Sequence, residues 1–221
     1  MGCGASQFEA AILTPPASEI SVFATPQFGF TYPSETIWKM KEKLFSFSGD
    51  DFKVEDLNGQ PLFTVDGQVF SMRSSKSFKT MDGNQILEIS KKMMAVRQTW
   101  HMYQGDDRRV TVVKKLLGFG STYYVYLLPP PYPNHDASTD LDALTPTFTL
   151  TGSIFDKEYC VYLGDNGENG PKVAQVSRKM FSAMNMVFGN DTYGIKVAPG
   201  VDVCLVLASV VIVDEIENDE H

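Results

Sequence analysis

The first six residues, Met1-Gly2-Cys3-Gly4-Ala5-Ser6, carry the most defined chemistry in the chain. Removal of Met1 would free the Gly2 amine for amide linkage to a myristoyl group, and Ser6 occupies the favoured position of that motif. Cys3 beside it can take a palmitoyl thioester. One myristoyl chain holds a protein at a membrane only marginally, whereas two acyl chains anchor it stably. Gly2 and Cys3 are therefore the candidate lipidation residues, and Cys3 decides between transient and lasting attachment. The motif has meaning only in a eukaryotic cell.

Three adjacent cation pairs, Lys91-Lys92, Lys114-Lys115 and Arg178-Lys179, form the candidate headgroup-binding set. A phosphoinositide or similar headgroup needs several cations converging on one pocket, with Arg or Lys at each phosphate. These pairs lie on three separate segments, so the reading stands only if folding brings them together. Trp38, Lys39, Lys41 and Lys43 alternate in a way that makes a basic face on a first strand, and an indole beside lysines suits a membrane interface. Lysines so placed also serve to protect a solvent-facing edge strand.

Other chemistry fails to assemble. Asp165-Asn166-Gly167-Glu168-Asn169-Gly170 is rich in oxygen donors but lacks the ligand order of a calcium loop, and reads as a hairpin turn. Gly118-Phe119-Gly120-Ser121 lacks the further glycine and the lysine of a phosphate loop. His101, His135 and His221 are scattered, so neither a catalytic triad nor a histidine metal cluster is indicated. Cys3, Cys160 and Cys204 are odd in number and far apart, which suggests neither a disulfide framework nor a zinc site and fits a reducing compartment. The expectation is a noncatalytic protein without metal or cofactor. A net charge of −8 with no basic stripe argues against nucleic acid as a partner.

The elements that position these residues are short. Residues 1–36 contain Pro15, Pro16, Pro26 and Pro33 and no Lys or Arg before Lys39, the composition of a flexible tail carrying the acylation motif. A tail of that length spans roughly 30–35 Å. The fold is expected to begin at Ile37. Strands are predicted at 44–48, 52–54, 62–65, within 71–81, at 86–89, 96–103, 110–113, 122–128, 147–151, 159–163, 173–176 and 193–197. Turn residues divide them, notably Asn58-Gly59, Asp66-Gly67, Asp82-Gly83-Asn84 and Gln104-Gly105-Asp106. Many short strands at near-regular spacing indicate a barrel or sandwich. Residues 129–146 read as a mobile surface loop.

The apolar run at 201–213 (VDVCLVLASVVIV) differs from all of this. It falls short of the roughly 20 residues that cross a bilayer. Pro199-Gly200 breaks the chain before it and Asp202 suits a helix N-terminus, which favours a helix surrounded by protein on every side. Acidic residues close it, and 218–221 read as a disordered acidic tail. The N-terminus has no secretory signal pattern.

Taken in order, Phe52-Lys53-Val54-Glu55-Asp56-Leu57-Asn58-Gly59, Leu62-Phe63-Thr64-Val65-Asp66-Gly67, Gly83-Asn84-Gln85-Ile86-Leu87-Glu88-Ile89-Ser90-Lys91-Lys92, Thr99-Trp100, Gly105-Asp106, Val173-Ala174-Gln175-Val176-Ser177-Arg178-Lys179, Asp191-Thr192-Tyr193 and Pro199-Gly200-Val201-Asp202 resemble the LURP-one-related family. The resemblance covers residues 44–216, and places the domain at 37–217. That family is related to the tubby C-terminal domain and to phospholipid scramblases. The resemblance implies a mainly β fold, a closed twelve-stranded β-barrel around a central hydrophobic C-terminal helix. It also implies a group without an assigned catalytic mechanism, whose plant members are linked to pathogen defence, and whose tubby relatives bind phosphoinositides at the plasma membrane.

The function expected from this is a noncatalytic membrane-associated adaptor that recognises a phosphoinositide or other lipid headgroup, in signalling or defence. Its expected location is the cytoplasm, with attachment to the plasma membrane surface through the acylated N-terminus. Two other readings stand beside it. One is lipid translocation in the scramblase manner with the C-terminal helix in the bilayer, which would carry acidic residues across at high cost. The other is a soluble domain that binds an unidentified protein partner and has no lipid role.

Overall fold

The computed structural model describes residues 12–25, 29–42, 50–67, 75–116, 121–134, 138–153, 158–183 and 192–219. Gly2, Cys3, Lys43, the strand expected at 44–48, Gly118-Phe119-Gly120, His135 and His221 lie outside them. Twelve strands follow in chain order: β1 (Thr36–Glu42), β2 (Asp50–Asp56), β3 (Pro61–Gly67), β4 (Ser75–Lys79), β5 (Gln85–Lys91), β6 (Thr99–Gln104), β7 (Asp107–Lys114), β8 (Ser121–Leu127), β9 (Phe148–Ser153), β10 (Glu158–Leu163), β11 (Lys172–Ser177) and β12 (Thr192–Val197). Each pairs antiparallel with the next, β11 and β12 included although a four-residue helix, α1 (Met180–Ala183), lies between them in the chain, and β1 closes the ring on β12. Closure leaves no edge for another chain to pair with.

Inward alternation builds the core. Trp100 opposes Val112 and Met102 opposes Val110 across β6 and β7, and all four are fully buried. The turns predicted at Asn58-Gly59, Asp82-Gly83 and Gln104-Gly105 each hold their glycine at positive φ, 84°, 81° and 60°, a conformation in which other residues are strained. Asp66-Gly67 corrects the turn expected there. Both residues are the end of β3, opposite Ser77 and Lys76, and Lys79 Nζ donates to Asp66 Oδ2 at 2.8 Å. A strong turn dipeptide yields here to ladder pairing.

A sixteen-residue helix, α2 (Val203–Asn218), fills the barrel. Asp202 caps it, with Oδ1 accepting from Leu205 N at 3.1 Å. Its flanks are buried on every side, as expected for the apolar run, and each enclosed Leu or Val contributes about 1.5–3 kcal/mol over exposure. Cys204 is wholly enclosed, and burial pushes its thiol pKa well up. The helix outruns the apolar segment through Asp214, Glu215 and Glu217, and ends beyond residue 217, so Asn218 and Asp219 are its last turn and cap rather than a disordered tail. The reason is counter-charge from the strands, described below.

Residues 12–25 and 29–35, assigned to the flexible tail, instead close the mouth where α2 enters, here the upper mouth. Leu13, Phe23 and Phe30 are buried, and Phe30 meets Phe63 edge to face. Ile20 forms a parallel bridge with Val201, while Asp202 Oδ2 accepts from Val22 N and Phe23 N at 2.8 and 2.7 Å. Burial raises the pKa of this carboxyl, and the amide donors of Phe23, Val22 and Leu205 work against that. Sequence reading missed the lid because a strap held by backbone and one carboxylate needs no apolar period.

The 129–146 stretch is likewise pinned where described. Arg108 N donates to Pro133 O at 2.9 Å, Arg108 Nη2 donates to Thr139 Oγ1, and Arg109 stacks 3.8 Å over the Tyr132 ring.

Candidate functional site

All three cation pairs reach the opposite end of the barrel, the lower mouth, where α2 ends. A pleated strand sends neighbouring side chains to opposite faces, so each pair on a strand end is split. Lys91, at the end of β5, turns inward and its Nζ lies 2.9 Å from Asp219 Oδ2. Lys114, at the end of β7, does the same, with Nζ 2.8 Å from Glu217 Oε1. Their neighbours Lys92 and Lys115 face outward and are exposed. Lys115 sits 5.8 Å over the Tyr124 ring.

A third inward lysine joins them. Lys76 of β4 pairs with Glu215 Oε1 at 3.1 Å. Sequence reading passed over it because it stands alone among serines, yet its offset of two from Phe78, an inward core residue, was the available signal. Glu217 is held most closely, accepting from Ser121 Oγ at 2.9 Å and from the Tyr123 hydroxyl in addition to Lys114. Glu215, Asp219 and Glu217 at the end of α2 are thus each matched to one lysine, from β4, β5 and β7 respectively, which is what extends the helix past its apolar run.

Arg178-Lys179 does not converge with the others. It follows β11, six strands from β5 in either direction round the ring, and Lys179 Nζ forms an ion pair with Glu158 Oε1 at 2.8 Å on the outside. Arg178 lies toward Tyr159. Burial and the Asp214 carboxylate push that phenol up, and Arg178 opposes them. Two of the three pairs therefore share one wall of the mouth, and the third stands on the opposite wall with the end of α2 between.

The basic face expected on the first strand is also altered. Trp38 is buried against Tyr32, with ring centroids 5.6 Å apart, and its Nε1 donates to Thr36 Oγ1, so it is no interfacial anchor. Lys39 faces outward and pairs with Glu55 at 3.4 Å. Lys53 is closer still and, with Lys39, holds the Glu55 carboxyl below its usual range.

Beyond Lys92 the β5–β6 connection, residues 92–98, curls round a shallow cup. It is fastened at its base by Lys92 N to Thr99 O at 2.8 Å and Lys114 N to Gln98 O at 3.0 Å. Arg97 is exposed on it. Lys92, Arg97 and Lys115 form no ion pair with any described residue, whereas the inward lysines are each matched. At the upper mouth a separate cleft of about 240 Å³ is lined chiefly by apolar groups, among them Phe30, Tyr32, Leu62 and Met81.

His101, expected to be isolated, is buried on the outer face of the β6–β7 pair. Its Nδ1 lies 3.0 Å from Thr111 Oγ1 and its Nε2 3.4 Å from Arg108 Nη1. The oxygen-rich segment at 165–170 is the β10–β11 turn, with a short 3-10 turn at Gly167–Asn169. Among the described residues no group of three His, Cys, Asp or Glu side chains could hold a metal ion.

The LURP-one-related family profile matches residues 36–214. Two Arabidopsis thaliana proteins illustrate the similarity. Protein LURP-one-related 15 is 25% identical over 214 residues, covering 94% of this chain and 90% of its own length. Protein LURP-one-related 10 is 24% identical over 196 residues, covering 89% and 96%. A crystal structure of an Arabidopsis thaliana protein superposes with a TM-score of 0.57 at 21% identity, over 85% of this chain and 94% of that one. That likeness is one of fold.

Proposed function

The chain belongs to the LURP-one-related family, and from that premise we propose that it is a noncatalytic, membrane-associated binding module that recognises anionic lipid headgroups, phosphoinositides among them, through the lower mouth of its barrel. The observation that carries this reading is the rim formed by Lys92, Arg97 and Lys115, exposed and unmatched by any carboxylate among the described residues, on a chain of net charge −8. Each such cation near an anionic surface contributes about 1 kcal/mol, fading within a Debye length of roughly 8–10 Å. The inward lysines serve the fold, and the outward ones are left for a ligand.

Acylation at Gly2 and Cys3 fits this arrangement. The described chain starts at Ile12, close to the upper mouth, where Thr14 N donates to Lys172 O at 2.8 Å. The residues between Gly2 and Ile12 can span at most about 35 Å, and a strand of seven residues is roughly 23 Å long. An anchored tail can therefore pass the barrel wall and leave the lower mouth against the bilayer. A scramblase-like role is the weaker reading. No helix among the described residues is long and apolar enough to cross a membrane, and α2 is sheathed by twelve strands.

Flotation of the full, unacylated chain with vesicles tests the proposal. Phosphatidylcholine vesicles should leave it behind, and vesicles containing phosphatidylserine or a phosphoinositide should carry it up, less so as salt rises. Failure to float with either anionic lipid would overturn it, as would binding indifferent to lipid charge and salt.

A further inference from the structure

The basic rim surrounds side chains that a soluble surface does not need. Met93, Met94 and Val96 on the β5–β6 connection are 57%, 102% and 93% exposed, and Leu116 after β7 is 60% exposed. These four are most of the large exposed hydrophobic residues among the described ones, and all lie at one end of the barrel. Scattered exposed apolar residues need no explanation, but a contiguous cluster rimmed by polar groups marks an interaction site.

Backbone conformation adds a second, independent observation. Met94 is at φ 57°, where every other positive φ among the described residues belongs to glycine. A long unbranched side chain is strained there, and such strain persists where surrounding structure imposes it, often at functional segments. Here it turns the loop so that Met94 stands clear of the barrel while the bonds at Lys92 and Gln98 hold the loop's base.

We infer that the β5–β6 tip, with Leu116 beside it, inserts into the acyl region of an anionic bilayer, with Lys92, Arg97 and Lys115 at headgroup level. Charge complementarity selects this occupant: apolar tips flanked by unmatched cations fit a surface that is negative outside and hydrocarbon within. Methionine is also the side chain best suited to a fluid, irregular environment. The inference rests on the headgroup reading above, and adds to it an orientation and an inserted segment.

The test places an environment-sensitive nitrobenzoxadiazole label at Met94→Cys, and in a separate protein at Met81→Cys, which is exposed at the upper mouth. Both carry Cys3→Ser, and Cys160 and Cys204 are buried. With phosphatidylserine vesicles the Met94→Cys label should shift to the blue and be quenched by acyl-chain nitroxides, and the Met81→Cys label should not change. Flotation without a change at the Met94→Cys label would overturn insertion and leave the headgroup reading standing. No flotation at all would overturn both. Equal changes at both labels would mean general unfolding on the vesicle, and would also overturn it.

A second variant, Met93→Asp with Met94→Asp, should lower vesicle partition about tenfold or more with no loss of thermal stability. If it leaves partition unchanged but abolishes a dimer seen by sedimentation, the surface joins two copies of the chain and the inference is wrong.

Discussion

Lys114 Nζ lies 2.8 Å from Glu217 Oε1, while the next residue, Lys115, points to the other face of the sheet and sits over the Tyr124 ring. Two lysines that are indistinguishable in the sequence therefore have separate duties. Lys114→Ala leaves a mostly buried Glu217 without its cation and should cost about 2–4 kcal/mol, near the range for breaking a buried pair. Lys115→Ala should stay within about 0.5 kcal/mol of the parent. Urea denaturation of the two variants measures this, and equal losses would contradict the division.

Asp202 joins three parts of the chain, the lid at Val22 and Phe23, the start of α2 and the bridge at Val201. Asp202→Ala removes a helix cap worth about 1 kcal/mol and orphans two lid amides at about 1–3 kcal/mol each. A loss of roughly 3 kcal/mol or more is expected in denaturant. Hydrogen exchange at Val22 and Phe23 should quicken beyond what global destabilisation explains. Unchanged protection of those amides would show that the lid docks by its apolar contacts alone.

The fold was largely legible because its signals are local and repeated. Alternating strands, glycine turns at Gly59, Gly83 and Gly105, and one apolar run ahead of an acidic end are all readable without contacts. The site was less so. Adjacent lysines look like one basic patch, and only strand registration shows that Lys91 and Lys114 turn in to meet Asp219 and Glu217 while Lys92 and Lys115 turn out. The role of Lys76 and the docking of the lid at Val22 and Phe23 depend on partners more than a hundred residues away, such as Glu215 and Asp202. Nothing in the sequence singles out Met93 and Met94, because composition does not report exposure.

Acylation sets the next expectation. In a eukaryotic cell the wild-type chain should pellet with membranes, Cys3→Ser should be shared between membrane and soluble fractions, and Gly2→Ala should be soluble unless the rim alone suffices at low salt. Metabolic labelling with an alkynyl myristate should mark the wild type and Cys3→Ser but not Gly2→Ala. If none of the three is labelled and all remain soluble, the anchor does not exist.

The central claim, that the lower mouth meets anionic lipid, is tested most directly by vesicle partition of two variants matched in net charge. Lys92→Gln with Lys115→Gln removes two cations from the rim, and Gln60→Glu with Asn84→Asp adds two anions at exposed turns of the upper mouth. With phosphatidylserine vesicles, the rim variant should partition about 30-fold more weakly, from about 1 kcal/mol for each lysine. The upper-mouth variant should stay within about twofold of the parent, because its charges lie beyond a Debye length from the bilayer. Equal weakening of both would show that only net charge matters, and would contradict the assignment of the binding face.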